Sequence, residues 1–283
     1  MNTEQSSFKI TVGFKTKILN VFRKIFTIPV FESILLKLLK SKLSWFFYKL
    51  IPPNYLYSKN SIRNCTRRGL AYELDLANFN DHLIFYEYDD ACYDFLIDYL
   101  KSAEVIFDIG ANIGSTALYF AQINPNATIV AVEPHPTTFQ KAVKNLSLNN
   151  FKHIKLYNIG FGSEKGTAKL FEVNDQNIGM NRILSDDKPF PFKVINIETL
   201  DNFMSENCLY PSVIKIDVEG FEHEVLKGGI EFLKARKPIL FLELDDKNLK
   251  ANGSSAVELL KFINSLGYID FLNANDGKKV EIG

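Results

Sequence analysis

The sequence is poor in cysteine and carries no net charge. Cys65, Cys92 and Cys208 are odd in number, far apart in the chain and without a C-x-x-C pair, so neither a disulfide framework nor a zinc site is indicated. The 33 Lys and Arg balance 33 Asp and Glu, whereas a general nucleic-acid binder is usually basic over its surface. We therefore expect no nucleic-acid partner, and a reducing compartment, the cytoplasm.

Long apolar runs are also missing, and so is the G-x-G-x-x-G fingerprint of a dinucleotide site. Glu32, Lys37 and Lys40 interrupt the longest apolar stretches, so none reaches the ~18 residues of a membrane span. Residues 1–7 lack the basic and apolar regions of a signal peptide. With 283 residues and 46% hydrophobic content, the chain can bury one large α/β core and still carry an extension.

The first fifty residues carry most of the charge asymmetry. They contain nine Lys or Arg against Glu4 and Glu32, and residues 51–54 (IPPN) end the segment. Apolar residues recur there at helical spacing, which predicts a basic amphipathic helical extension over residues 1–54 and a catalytic domain over 55–283. Two roles remain open for this extension: a cap packed on the catalytic domain, or peripheral contact with an anionic membrane through residues 8–50.

The run VIFDIGANIG (residues 105–114) organises the remainder of the chain. A short apolar strand, two glycines at Gly110 and Gly114, and a helical pattern after them predict the first unit of a nucleotide-binding α/β sheet. Asn112 stands where a dinucleotide site needs its middle glycine. S-adenosylmethionine fits better, since Asp108 could pair with its ammonium and backbone N–H groups at the turn could hold its carboxylate. A packing turn without a ligand is the alternative.

Glu133 completes the predicted cofactor half of the site. It ends the buried-strand pattern of residues 127–132 and follows Asp108 by 25 residues. In Rossmann-like sheets an acidic residue at this place accepts both ribose hydroxyls.

The order of the remaining patterns predicts a Rossmann-like, mainly parallel sheet with an antiparallel C-terminal hairpin. Such a hairpin is typical of class I methyltransferases rather than of dehydrogenases. Residues 174–192 lack periodicity and read as a long loop beside the site. Strands are predicted at residues 69–76, 81–86, 153–159, 168–173, 193–197, 212–218 and 238–244, helices at 91–100, 198–204, 222–235 and 255–266, and the hairpin at 268–272 and 278–282.

An acidic turn follows the strand of residues 212–218. Asp217, Glu219 and Glu222 are expected on the same rim as Asp108 and Glu133, because ligands bind outside the carboxyl ends of parallel strands. Asp217 ends an apolar strand, where a buried charge needs a partner. We predict it as the general base for a hydroxyl. A competing use of the turn is a divalent cation, held by Asp217, Glu219 and one of the following acids, Asp245 or Asp246.

These motifs together resemble the FkbM family of S-adenosylmethionine-dependent methyltransferases. The resemblance rests on VIFDIGANIG, EPHP (133–136), TLD (199–201), KIDVEGFEHEVLKG (215–228) and LE (242–243), and covers about residues 70–272. It implies a class I fold and O-methylation of hydroxyls on sugars or polyketide-type products. By motif position it implies cofactor-binding roles for Asp108, Gly110, Ala111, Asn112, Gly114, Glu133 and Asn158, and acceptor-facing roles for Asp217, Glu219 and Glu222.

Three functions are thus weighed. The leading one is an S-adenosylmethionine-dependent O-methyltransferase acting on a hydroxyl-bearing small molecule or glycan. A nicotinamide-dependent oxidoreductase is disfavoured by Asn112 and by the predicted hairpin. The third is a catalytically silent module that keeps the nucleotide pocket.

Overall fold

The computed structural model describes residues 12–88, 91–174, 177–184 and 189–282, which form two compact units. The first contains the described residues up to Arg67, with Glu73–Tyr88 and part of Asn174–Ile178. The second contains Arg68–Tyr72 and the described parts of Asp89–Val173 and Gly179–Gly283. The beginning of the predicted extension, before residue 12, and the loop positions 175–176 and 185–188 lie outside the described residues.

The helices and strands follow the chain in this order. The helices are α1 (Phe14–Arg23), α2 (Pro29–Leu39), α3 (Ser44–Phe47), α4 (Phe79–Phe85), α5 (Ile97–Ser102), α6 (Ser115–Ile123), α7 (Pro136–Ser147), α8 (Leu200–Asn207), α9 (Glu222–Lys227), α10 (Ile230–Arg236), α11 (Asp246–Ala251) and α12 (Ala256–Ser265). The strands are β1 (Ile62–Arg67), β2 (Leu70–Asp75), β3 (Val105–Ile109), β4 (Thr128–Val132), β5 (Ile154–Tyr157), β6 (Gly160–Phe161), β7 (Gly166–Phe171), β8 (Arg182–Ile183), β9 (Phe192–Glu198), β10 (Val213–Ile216) and β11 (Ile239–Leu242). None of the helices within the described ranges is long and apolar enough to cross a bilayer.

The first unit is organised around a buried ion pair. Glu32 on α2 is 3% exposed, and its Oε1 lies 2.8 Å from Nε of Arg63 on β1. The Tyr57 hydroxyl donates to the other oxygen of Glu32, at 3.3 Å. A buried carboxylate is tolerated only when charge and hydrogen bonds compensate it, and these two partners supply both.

Helix α4 replaces the strand predicted at residues 81–86, and that prediction was wrong. The Asn78 side chain accepts the backbone N–H groups of Asn80 and Asp81, which caps the helix. His82 and Phe85 are then buried on one helical face, with His82 Nε2 2.7 Å from the Pro52 carbonyl oxygen. The cap and the three-residue spacing fit a helix better than the alternation we expected.

The second unit contains the predicted parallel sheet. Its five strands lie in the order β11-β10-β3-β4-β5, and every neighbouring pair is parallel. Successive strand residues point to opposite faces. Phe107 and Ile214 face one apolar layer with residues of α8, α9, α10 and α12, whereas Ile106 and Val213 face another with residues of α5 and α6. Helices therefore cover both faces, and the α/β prediction is confirmed.

The part of the chain between β5 and β10 forms a second, mixed sheet of order β6-β9-β7-β8. Only its β6–β9 pair is parallel; β7 pairs antiparallel with both neighbours. The predicted loop of residues 174–192 is thereby shortened, because β8 and the first residue of β9 lie within it.

Two predicted elements have a different form. The C-terminal hairpin is reduced to one antiparallel bridge between Leu272 and Lys279. The helix predicted at 222–235 is two helices, α9 and α10, separated at Gly228 and Gly229. A Cβ on Gly228 would overlap with the Gly162 carbonyl oxygen, so this close approach of two backbones separates the helices.

Candidate active site

Four neighbouring strands of the parallel sheet end in a row. The N–H of Gly110 donates to the Val132 carbonyl, and that of Asp217 to the Ile109 carbonyl, each at 3.0 Å. The N–H of Glu243 continues the pattern to the Ile216 carbonyl at 3.1 Å. Because carboxyl ends of parallel strands share one edge, the residues after β4, β3, β10 and β11 stand side by side: Glu133, Gly110, Asp217 and Glu243.

The glycine turn after β3 is held by its contact with the acidic turn. Gly110 has φ +82°, and a Cβ there would overlap with the backbone carbonyl oxygen of Asp217. Ala111 is buried and its N–H donates to the Val132 carbonyl at 2.9 Å. Gly114, at φ +84°, is the N-cap residue just before α6 and lies against Leu146 of α7. Both predicted glycines therefore serve close packing as well as backbone geometry.

Glu133 connects the ends of β3 and β4. Its Oε2 accepts the N–H of Asn112, and its Oε1 accepts the N–H of His135, both at 2.9 Å. Asn112 has a left-handed φ of +50°, which Asn tolerates better than most residues. Burial raises the pKa of Glu133 to about 7, and these hydrogen bonds oppose the rise. Each carboxylate oxygen retains a second lone pair, the arrangement that a ribose diol requires.

Asn158 supports Glu133 from behind. Its Nδ2 donates to the backbone carbonyls of Glu133, at 2.8 Å, and Pro134, at 3.0 Å. The residue therefore fixes the chain direction after β4, next to the predicted cofactor site.

Asp108 and Lys215 form a buried ion pair beneath the turn. Asp108 is 0% and Lys215 3% exposed, with 3.2 Å between Lys215 Nζ and Asp108 Oδ1. The same Nζ donates to the Gly110 carbonyl at 3.0 Å. Burial raises the pKa of Asp108, and Lys215 opposes this rise. Burial also disfavours the Lys215 charge, but Asp108 and Asp217 outweigh it and hold the Lys215 pKa above its usual value.

Asp217 is the accessible carboxylate of this group. Its side chain is 40% exposed, and its Oδ2 lies 3.3 Å from Lys215 Nζ. One ammonium thus faces both Asp108, at the glycine turn, and Asp217, at the acidic turn. The interaction of Lys215 with Asp217 is weakened by solvent, whereas the pair with Asp108 is fully shielded.

Glu243 lies beside Asp217 and extends the acidic rim. Burial, the nearby Asp217 charge and a hydrogen bond with Asp217 raise the pKa of Glu243 to about 8. A hydrogen bond between two carboxyl groups requires one proton, and the raised pKa of Glu243 lets this side chain carry that proton at neutral pH.

The remaining two acids of the turn have different environments. Glu219 has φ +56° and accepts a 2.9 Å hydrogen bond from Asn248 Nδ2; burial and Asp217 raise its pKa to about 7, against the nearby Arg182. Glu222 is 1% exposed, and its Oε1 accepts the N–H groups of Val218 and Gly220. Glu222 therefore closes the turn, whereas our sequence interpretation had it facing the acceptor.

The competing prediction of a divalent cation site used Asp245 or Asp246 as a ligand, and both side chains have other partners in the structure. Asp245 accepts the N–H groups of Lys247 and Asn248 and caps α11, and Asp246 pairs with Lys250. In the described part of the chain, no three His, Cys, Asp or Glu residues are arranged to hold a metal ion.

Lys215 and Glu243 received no role of their own in the sequence analysis. A lysine inside the apolar strand pattern VIKI was a usable signal, because a buried ammonium requires acidic neighbours. Glu243 ends an apolar run as Glu133 does, and the same rule for strand ends could have found it.

Comparisons with known proteins agree with this geometry. Residues 108–269 match the family model of the methyltransferase FkbM domain. Similar proteins include methyltransferase 1 of Beauveria bassiana, 29% identical over 159 residues that cover 49% of this chain and 63% of the relative. Hexuronic acid methyltransferase AglP of Haloferax volcanii is 31% identical over 140 residues, covering 50% of this chain and 56% of the relative. The 2-O-methyltransferase NoeI of Sinorhizobium fredii is 28% identical over 164 residues, covering 53% and 66%.

The chain thus spans between about half and two thirds of the length of these relatives. Among solved structures, methyltransferase FkbM from Methylobacillus flagellatus KT is 20% identical, with a TM-score of 0.40, and the match covers 58% of this chain and 36% of that one. The family model covers more than half of the sequence and includes the glycine turn, Glu133 and the acidic turn. The chain belongs to the FkbM methyltransferase family.

Proposed function

We propose that the protein is an S-adenosylmethionine-dependent O-methyltransferase that acts on a hydroxyl of a sugar, glycan or secondary metabolite. The observation that carries this proposal is the row of strand ends, which sets Glu133 and the glycine turn next to Asp217 and Glu243. One half of the row suits an adenosyl ligand, and the other half offers a carboxylate that can accept a proton.

The residues of the glycine turn fit the cofactor without a phosphate. Asn112 supplies a side chain where pyrophosphate would need bare backbone, and the free lone pairs of Glu133 suit the ribose hydroxyls. Asp108 is fully buried and paired with Lys215, which corrects our expectation that it pairs directly with the methionine ammonium. Lys215 connects it to the glycine turn, because Lys215 Nζ donates to the Gly110 carbonyl. When bound, S-adenosylmethionine supplies an electrophilic methyl group on a sulfonium centre.

Asp217 is our candidate for the general base. A hydroxyl that attacks a methyl group must lose its proton, and Asp217 is an exposed carboxylate at the rim. Lys215 lies 3.3 Å from Asp217, and Glu243 beside it is hydrogen-bonded to it. A positioned carboxylate can take up the proton of an attacking hydroxyl as the bond to the methyl group forms.

The acceptor class is inferred from two relatives. One is named for a hexuronic acid, which is a sugar acid, and the other for 2-O-methylation. The second name fits a base aimed at a hydroxyl, and the first favours a carbohydrate-type acceptor for this chain.

The cofactor assignment is tested by calorimetric titration with S-adenosylhomocysteine and with NAD. We expect binding of the first ligand only, and Glu133→Gln should weaken it by about 1.5 to 3 kcal/mol, the range for hydrogen bonds to a charged group. Glu104→Gln is the matched control, since Glu104 is exposed at the opposite end of the sheet. Binding of NAD alone would favour an oxidoreductase, and unchanged affinity in folded Glu133→Gln would refute the ribose assignment.

The base is tested by turnover of Asp217→Asn on a panel of glycan and metabolite hydroxyls. The variant should lose about 100-fold or more in kcat, because general base catalysis contributes ~10² to 10⁴. Asp270→Asn, at an exposed position of the same unit, should retain wild-type turnover. Loss of wild-type activity in EDTA, restored by added metal, would favour the cation alternative. Wild-type turnover by Asp217→Asn would contradict the proposed base, and absence of turnover in wild type would favour the silent module.

A further inference from the structure

Helix α1 exposes its apolar side. Phe14, Ile18 and Val21 follow each other at helical spacing, and Ile25 continues the row in the 3₁₀ turn after the helix. Phe14 is 77% and Val21 70% exposed, and none of the helix residues is buried. An amphipathic helix on a globular protein normally turns this side toward a core. Helix α1 instead turns its apolar side toward solvent.

The polar side of α1 makes the contacts with the rest of the first unit. Asn20 Nδ2 donates to the Tyr55 hydroxyl at 3.1 Å. Arg23 Nε donates to the Lys49 carbonyl at 2.8 Å, and within the helix its Nη1 donates to Asn20 Oδ1 and links the two contacting side chains. These hydrogen bonds fix the rotation of the helix, so the apolar side is held outward by specific contacts.

The exposed apolar surface continues over α2 and α3. On α2, Glu32 and Leu35 are buried, whereas Val30 and Ile34 on the other side are exposed. A helix that is apolar on nearly all sides is usually covered by protein core or by lipid. The α1–α3 surface consists of these exposed side chains: Phe14, Ile18, Val21, Phe22, Ile25, Ile28, Val30, Phe31, Ile34, Leu43, Trp45, Phe46 and Tyr48.

The charges around this surface have one sign. Lys15 borders the apolar row of α1 on one side, and Lys17 and Lys24 border it on the other, as the 100° step per residue requires. Glu32 is the single acidic residue between positions 12 and 50, and it is buried against Arg63. Within residues 12–50 the surface therefore presents apolar side chains and a net positive charge together.

We propose that the α1–α3 surface docks onto an anionic lipid bilayer, with the apolar row at the acyl boundary and the lysines at the headgroups. Exposed apolar side chains flanked by lysines are the pattern of helices that lie in the membrane interface. A second copy of the chain on the same surface would bring like charges face to face. Trp45, 65% exposed, is of the residue type enriched at the interface.

Binding is measured with the full chain and vesicles of phosphatidylcholine containing phosphatidylglycerol, by co-sedimentation and by fluorescence. Trp45 is the single tryptophan of the sequence, so its emission reports this surface alone. We expect a shift to shorter wavelength, quenching by brominated acyl chains, and co-sedimentation that weakens as salt rises. Vesicles of pure phosphatidylcholine should bind far less.

Two variants separate the electrostatic and apolar contributions. Lys15→Gln/Lys17→Gln/Lys24→Gln should weaken partitioning about fivefold per lysine, on the order of 100-fold in total. Phe14→Ser/Val21→Ser should weaken it by at least about tenfold per side chain, without harm to the fold, since neither side chain is buried. The matched control replaces three exposed lysines of the second unit by Gln and should bind as wild type does: Lys152, Lys234 and Lys261.

Three results would overturn the proposal. One is equal loss of binding in the control and in the Lys15→Gln/Lys17→Gln/Lys24→Gln variant, which would make the attraction non-specific. Another is unchanged Trp45 emission on anionic vesicles. The last is a wild-type dimer in analytical ultracentrifugation that Phe14→Ser/Val21→Ser dissociates, because a second copy would then cover this surface.

Discussion

Replacement of Lys215 by Met tests whether one ammonium holds both halves of the site. Met keeps most of the length and flexibility of the side chain and removes its charge. In the structure that charge lies 3.2 Å from Asp108 and 3.3 Å from Asp217. Asp217 can turn to solvent when Lys215 is removed, whereas Asp108, 0% exposed, cannot.

The cost of the change is therefore set by Asp108. Removal of one partner of a buried ion pair costs about 3 to 5 kcal/mol, because the other charge is left without compensation. Asp108 can reduce this cost by taking up a proton. Its folded-state pKa, already raised by burial, then rises further when the opposing Lys215 is gone.

The sign of the pH dependence follows from linkage. Above the ordinary Asp pKa of ~3.9, folding of the variant takes up a proton that the unfolded chain does not hold. The free energy of unfolding of Lys215→Met must therefore fall, relative to wild type, as pH rises toward the new folded-state pKa. The limit is about 1.4 kcal/mol per pH unit.

The measurement is urea unfolding followed by circular dichroism at pH 5.5 and 8. Trp45 lies in the first unit, so its fluorescence does not serve as the reporter for this change. The double variant Lys215→Met/Asp108→Asn should recover part of the loss and lose its pH dependence, since no buried carboxyl remains. A loss below about 1 kcal/mol that is equal at both pH values would refute the reasoning.

Two further outcomes are expected. Gly110→Ala should destabilise the fold by more than about 2 kcal/mol and abolish S-adenosylhomocysteine binding, because its Cβ would meet the Asp217 carbonyl. The control is Gly166→Ala, since Gly166 has open space around it, and equal behaviour of the two variants would contradict this prediction. Glu243→Gln should remove the change in kcat expected near pH 8, where the Glu243 carboxyl titrates in the wild type; a change near pH 8 that persists in the variant would rule out Glu243 as its source.

The central sheet, its glycine turn and the strand end at Glu133 could be predicted because their sequence signals are local. An apolar run that ends in Asp108, with Gly110 after it, admits few conformations. Glu133 could be predicted because a second apolar strand pattern, one strand–turn–helix unit later, ends at this residue. The structure has these elements where the patterns predicted them.

The remaining features depend on contacts between distant segments. Residues 81–86 read as a strand until the Asn78 cap is known. The separation of α9 from α10 depends on the Gly162 backbone, which no helical pattern encodes. In the sequence, Glu222 looks like one more acid of the motif. The two hydrogen bonds that engage it within its own turn are visible only in the structure.

The contact of Gly110 with the Asp217 carbonyl has a consequence for engineering. Two loops that share a backbone contact cannot be exchanged one at a time, because each new loop would have to recreate the other's surface. Residues 105–114 and 213–222 should therefore be transplanted between family members as one block. Arg182 of β8 donates to Asn248 of α11 at 2.5 Å, and Asn248 in turn donates to Glu219 of the acidic turn. We therefore expect that the β7–β9 segment can be exchanged between family members more readily than either of these two loops.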